Sequence, residues 1–302
     1  MSTNALPSLQ QLASRCSFEQ MSDQAIAKLI ERYPDLPNII QDTMPQNDCS
    51  AFVNAAIKYD SPIRMRITMT HPYFPACRTA VLKRVVTENK QNIVREFTVN
   101  EMILPGELGD MLSNASRLGS QGIVHTILTC NRCSEIPPFF FGKALYSASR
   151  EGHSGIVADL CLCGQELPAP VCGDALSIAS EKGRSGIVQI LLDDPAISQS
   201  ISQRAFGMAL EKASQNNQRR VVLQLLSHSS ITPHIYDLAK ALLLASAKDL
   251  PFMVGALLQY AKKSEVSEHA LKDTIEIIVH QTPTLTEPAQ DLLAFMQTAY
   301  RN

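Results

Sequence analysis

Eight cysteines and seven histidines are the side chains of this 302-residue sequence best able to do chemistry outright. Cys130-Asn-Arg-Cys133 is a CxxC, followed by Cys161-Leu-Cys163 and then Cys172. A structural zinc would require four thiolates or imidazoles converging at about 2.3 Å or less. The spacing works against this, because Cys130 and Cys163 occupy equivalent positions of successive repeats, which places their backbones about 10 Å apart. Cys161 takes a position filled elsewhere by Leu128, Leu192 and Leu226, which marks it as core. A cysteine nucleophile needs a histidine in reach and a third group to orient it. His71, His125, His153, His228, His234, His269 and His280 are instead scattered along the chain. There is no Gly-x-Ser-x-Gly, no phosphate-cradling glycine loop and no His-Glu-x-x-His. No metal, no cofactor and no enzyme activity are therefore expected. The alternative is an active part within the N-terminal 75 residues, with the remainder as a targeting arm.

Composition narrows the partners. Apolar residues make up 45% and charged residues 19%, so a substantial core can form, while scarce aromatics and the absence of Trp favour a helical protein of Ala, Leu, Ile and Val. A formal net charge of −2 gives no reason to expect a nucleic-acid partner. Dibasic pairs within the repeats are confined to Lys83-Arg84 and Arg219-Arg220, too few to line a groove. The first 20 residues lack a basic start followed by a long apolar run, and no apolar stretch approaches a membrane span. Dilute cysteines suit a reducing compartment. A cytoplasmic protein without a membrane span is expected.

The elements that position these residues emerge from self-similarity. Five segments align without gaps: Leu112–Gly119, Leu145–Gly152, Leu176–Gly183, Leu210–Asn217 and Leu242–Asp249, with a sixth upstream at Leu82–Asn89. Their last residues are 30, 33, 31, 34 and 32 positions apart. Each carries apolar residues at a small central residue (Ala115, Ala148, Ala179, Ala213, Ala245) and three, four and seven before it, which is one face of a helix. Each ends in Gly, Asn or Asp, types that tolerate the left-handed conformation at a helix C-terminus. A second apolar group follows: Ile123-Val124, Ile156-Val157, Ile187-Val188 and Val221-Val222, each with a further pair four residues on. The fold expected is all-α, built from helix-turn-helix repeats.

Gly152-His-Ser-Gly-Ile-Val157 and Gly183-Arg-Ser-Gly-Ile-Val-Gln-Ile-Leu-Leu192 resemble the segment that joins the two helices of ankyrin repeats. The resemblance covers roughly residues 76–262 and implies an ankyrin-like solenoid with atypical caps. It departs where the usual Thr-Pro-Leu-His opening is replaced by Lys143-Ala-Leu-Tyr, Asp174-Ala-Leu-Ser and Met208-Ala-Leu-Glu, leaving regular β-hairpin fingers without their bracing hydrogen bonds. Sequences of this degenerate style resemble ankyrin proteins of intracellular bacteria, chlamydia-like or legionella-like. That resemblance implies a protein-interaction scaffold or adaptor, with a secreted, host-targeting effector delivered into a host cell as its extension. The Ser/Thr/Asn-rich start at residues 1–8 would suit such export.

Domain boundaries are expected at 1–75 (N-terminal helical cap or eroded repeats, with an independent domain as the alternative), 76–262 (repeats) and 263–302 (C-terminal helical cap). With the apolar stripe fixed, residues five and two before the alanine and two after it point away from the core. These are Asp110, Ser113 and Arg117; Lys143, Tyr146 and Arg150; Asp174, Ser177 and Glu181; Met208, Glu211 and Gln215. The face they form, concave in an ankyrin-like stack, is the expected partner-binding surface. Asp110, Arg117, Lys143, Tyr146, Arg150, Asp174, Glu181 and Glu211 are its candidate contacts. Phe139 and Phe140, read as a loop tip beside Tyr146, join them either as aromatic anchors or as side chains folded over the repeat junction. The expected partner is another protein, and the expected state a monomer.

Overall fold

The computed structural model describes residues 21–34, 36–38, 49–165, 167–228 and 231–301. All regular structure among them is helical. The chain forms two compact units, Met1–Phe140 and Phe141–Asn302. The expected boundaries at 75/76 and 262/263 fall within the first and second unit respectively. The export-type start at residues 1–8 lies outside the described residues.

The first unit holds α1 (Asp23–Arg32), α2 (Ser50–Tyr59), α3 (Pro62–Met69), α4 (Phe74–Thr87), α5 (Gln91–Val99), α6 (Pro105–Leu118) and α7 (Gln121–Leu128). Helices α2/α3, α4/α5 and α6/α7 pair as hairpins. Hairpin packs on hairpin in register, with α4 against α6 and α3 against α5 against α7. Within the region expected as a helical cap or eroded repeats, Ser50–Tyr59 is the first helix of the α2/α3 pair, capped by Asp60. Helix α1 buries Ile26 and packs on α3.

Helix α8 (Pro138–Glu151) carries the chain into the second unit. There follow α9 (Ser154–Leu162), α10 (Ala169–Glu181), α11 (Ser185–Asp193), the short α12 (Pro195–Ser200), α13 (Gln203–Gln215), α14 (Arg219–Ser227), α15 (Ile235–Ala247), α16 (Pro251–Lys263), α17 (Glu268–Gln281) and α18 (Thr286–Arg301). First helices stack as α10 on α13 on α15, and second helices as α9 on α11 on α14 on α16. The last pair departs from this order, because α17 and α18 both pack against α15.

Each hairpin before the last is closed by the same turn. Asn89, Gly119, Gly152, Gly183, Asn217 and Asp249 all have φ between 50° and 96°, and Asp60 joins them at 48°. The amide of the next residue then donates to the carbonyl five residues back: Lys90 to Val85, Ser120 to Ala115, His153 to Ala148, Arg184 to Ala179, Gln218 to Ala213 and Leu250 to Ala245, all at 2.8–3.0 Å. This satisfies a carbonyl the helix end leaves unpaired. The corresponding position at Thr282 has φ −136° and no such turn.

The stripes are buried as their spacing demands. Leu112, Ala115, Leu145, Ala148, Leu176, Ala179, Leu210 and Ala213 are inaccessible, as are Val124, Val157, Val188 and Val222 opposite them. Each fully buried Leu or Val contributes about 1.5–3 kcal/mol. A serine follows each alanine. Ser116, Ser149, Ser180 and Ser214 are fully buried, and their hydroxyls have no hydrogen-bond partner among the described residues.

A glycine six residues before Ala115, Ala148, Ala179 and Ala213 lets the next first helix come close; Ala239 stands at this place before Ala245. A Cβ on Gly142 would stand 2.9 Å from Val171, on Gly173 2.6 Å from the Ala205 Cβ, and on Gly207 2.1 Å from Asp237. Within the first unit, one on Gly109 would meet the Phe140 ring at 2.3 Å. Glycine costs a helix about 1 kcal/mol relative to alanine, so close approach is the physical reason for glycine at this register.

Candidate functional site

The exposed side of the first helices is built by subtraction. Within the second unit, α10, α13 and α15 each pack on neighbouring first helices and also on their own second helices α11, α14 and α16. What stays open in the second unit is Lys143, Tyr146 and Arg150 on α8, Asp174 on α10, and Arg204 and Met208 on α13. In the first unit, Asp110 and Arg117 are exposed on α6. Ser113 and Ser177, placed on the open side by helical geometry alone, are buried. Contact with neighbouring first helices widens the buried arc beyond a single stripe.

Phe139 and Phe140 are not on a loop tip. Pro138 opens α8, a place where its fixed φ suits a helix, so both aromatics sit in the first turn. Phe139 is 70% exposed and meets Phe140 edge-on at 5.6 Å. Phe140 is half-buried on Gly109, with its carbonyl 3.3 Å from the Ser113 hydroxyl that donates to it. One aromatic is thus open to a partner, while its neighbour fills a packing position.

Glu181 and Glu211 are half-buried and engaged across helices. Glu181 pairs with Lys212 of the next first helix at 3.3 Å and with Lys182 at 3.1 Å. Glu211 pairs with Lys240 at 2.9 Å. Lys182 beside it, helped by Lys212, holds the Glu181 carboxyl below its ordinary value against the opposing effect of burial. The sequence signal for these pairs was a lysine about one repeat period downstream of each glutamate. Arg150 pairs with Glu151 at 3.1 Å.

Between α13 and α15 the open side deepens into a cavity of about 680 Å³, lined by Gln203, Arg204, Met208, Glu211, Lys212, His234, Tyr236, Asp237 and Lys240. His234 caps α15, its Nδ1 accepting from the Tyr236 amide at 3.2 Å. The Tyr236 hydroxyl donates to Gln281 Oε1 at 3.3 Å. Asp237 rests over Gly207, and burial raises its carboxyl above the ordinary range. His234, Lys240 and Arg204 oppose that shift, while Glu211 adds to it. Arg204 makes no hydrogen bond or ion pair among the described residues, so its planar guanidinium can offer paired donors to an incoming carboxylate or carbonyl. Met208 beside it is 40% exposed. A smaller cleft of about 280 Å³ occupies the matching place between α4 and α6 in the first unit, lined in part by Lys83, Glu107, Asp110 and Met111.

The central cysteines are poor nucleophiles. Burial pushes the Cys161 thiol up to about 12, with Asp194, Cys172 and Cys163 adding to the shift. Burial also raises Cys163 and Cys172. Protonated thiols are neither metal ligands nor attacking groups. Among the described residues no three His, Cys, Asp or Glu side chains are grouped to hold a metal ion. No helix among them is long and apolar enough to cross a membrane. Arrangements of this kind can bind and orient, using an arginine fork, a thioether and a tyrosine ring, and no family model, curated protein or solved structure matches the chain.

Proposed function

We propose that this chain is a protein-interaction scaffold that binds a polypeptide on the exposed side of its first helices. In the second unit, the cavity at Arg204, Met208, Tyr236 and Asp237 is the centre of the binding surface. The observation that carries the reading is the separation of roles along those helices. Buried positions repeat with fixed residue types, whereas Lys143, Tyr146, Asp174, Arg204 and Met208 stay exposed and vary. The ankyrin-like assignment belongs to the same proposal. It is supported by stacked hairpins with left-handed turns at a near-constant period, while no strand occurs among the described residues to form the fingers of that family. A bacterial, host-directed role rests on the sequence resemblance alone.

The test uses the full chain as bait in a lysate of the producing cell, with cross-linking to locate contacts. Cross-links from captured protein should concentrate on residues 143–240. Arg204→Glu combined with Met208→Ala and Tyr146→Ala should reduce capture at least tenfold without lowering Tm. A control change at Leu162, 80% exposed on α9, should leave capture intact. Equal capture by the triple variant would overturn the face assignment.

A further inference from the structure

We propose that Cys49 and Cys77 are a disulfide-forming pair, a covalent modification site in the first unit. Their sulfurs are 3.5 Å apart although 28 residues separate them. Cys49 immediately precedes α2 and is 2% exposed. Cys77 sits at the start of α4, half-buried, and its thiol donates to the Phe74 carbonyl at 3.3 Å. A disulfide needs sulfurs about 2.05 Å apart, so closure asks for an approach of about 1.5 Å, which side-chain rotation at both residues can share. Neither residue belongs to the face assigned to partner binding.

The two sulfurs differ in access, and this sets an order of events. With oxidised glutathione as the oxidant, the more exposed Cys77 attacks first as its thiolate. The glutathione S–S bond breaks, and one glutathione leaves and takes up the proton Cys77 gave away. Cys49, as thiolate, then attacks the Cys77 sulfur and expels the second glutathione, which takes the remaining proton. Two protein thiols are oxidised and one glutathione disulfide is reduced to two thiols. The bond closes a loop over α2 and α3 and restricts the unfolded chain. At Cys161, Cys163 and Cys172 burial raises the thiols, so the more exposed Cys77 should react ahead of these three.

The reduced full chain is incubated with oxidised glutathione, its remaining thiols are blocked with N-ethylmaleimide, and it is digested without reductant. The expected product is a peptide joining Cys49 to Cys77, lost on adding dithiothreitol. The oxidised chain should melt about 5 °C higher than the reduced one. Cys49→Ser removes the resolving thiol and should leave glutathione attached to Cys77. Recovery of both cysteines blocked by the maleimide, a lasting glutathione adduct on Cys77 of the unsubstituted chain, or linkage to another cysteine would each overturn the proposal. Should Cys49→Ser fail to fold, the peptide map of the unsubstituted chain decides.

Discussion

The two units secure their helices by different means. In the first, charge is taken inside. The Arg64 side chain, 4% exposed, donates to Asp23 at 2.6 Å and lies over the Tyr59 ring. Arg66 grips Glu96 with two bonds of 2.7 and 2.6 Å, and Glu96 is 7% exposed. That grip raises the Arg66 pKa over the opposing effect of burial. In the second unit the inter-helix pairs stay near solvent, and Gly142, Gly173 and Gly207 bring the backbones together instead. The first unit has Gly109 at that register in α6, but Thr79 stands at the equivalent place in α4. Directional bonds to buried charges thus tie helices in the first unit, and bare backbone lets helices touch in the second.

The sharpest way to break this contrast is to remove one cation from each unit. Arg66→Met should cost about 1–3 kcal/mol in urea unfolding, because Glu96 is left buried without its donors although the guanidinium itself is 65% exposed. Replacing both residues by Leu should recover much of that loss. Lys212→Met should cost at most about 1 kcal/mol, since its pair with Glu181 is solvated. Equal losses would erase the distinction.

Glycine substitutions come next. Gly173→Ala forces a Cβ to within 2.6 Å of the Ala205 Cβ, so a loss of about 1–3 kcal/mol is expected despite better helix propensity. Gly255 lies inside α16, with nothing within 4 Å of an added Cβ. The same change there should stabilise by up to about 1 kcal/mol. Stabilisation at both sites, read as a rise in Tm, would rule out close approach as the reason for the glycine column.

The buried serines predict a smaller gain. Ser149→Ala and Ser180→Ala remove hydroxyls that make no hydrogen bond among the described residues, so each should be neutral or raise stability by about 1 kcal/mol. Ser246 occupies the same register but donates to the Pro288 carbonyl at 3.1 Å. Its replacement should lower stability instead.

Asp237 supplies the smallest effect and a pH dependence. Its folded pKa is raised, so its favourable contribution is present below the unfolded carboxylate value and is lost as pH climbs through the folded one. Asp237→Asn should therefore stabilise slightly near neutrality, by less than about 1 kcal/mol, and lose that advantage at about pH 3. A constant difference across pH would show that the carboxylate is not strained by its position over Gly207.

Much of this frame was legible in the residues. Gly, Asn and Asp at 119, 217 and 249 identified left-handed turns because few other residue types hold that conformation cheaply. The alanine and leucine stripes located the buried flank through simple helical periodicity. The glycine contacts were not legible in the same way. Phe140, Val171, Ala205 and Asp237 share no chemistry, and their common feature is the hollow beneath them rather than their own type. Ser113 and Ser177 escaped for a related reason: a lone helix has one buried flank, while a helix stacked between neighbours has more. Cys49 and Cys77 lie near one repeat period apart, but nothing in their local sequence announces a shared position.

The left-handed turn has a consequence for how the molecule comes apart. Because each hairpin before the last is clasped by a bond between its own residues, such as Gln218 to Ala213, opening one leaves the clasp of the next untouched. Amide exchange at residues 120, 153, 184, 218 and 250 would then register the chain loosening hairpin by hairpin, with each of these protons serving as the gauge of a single pair.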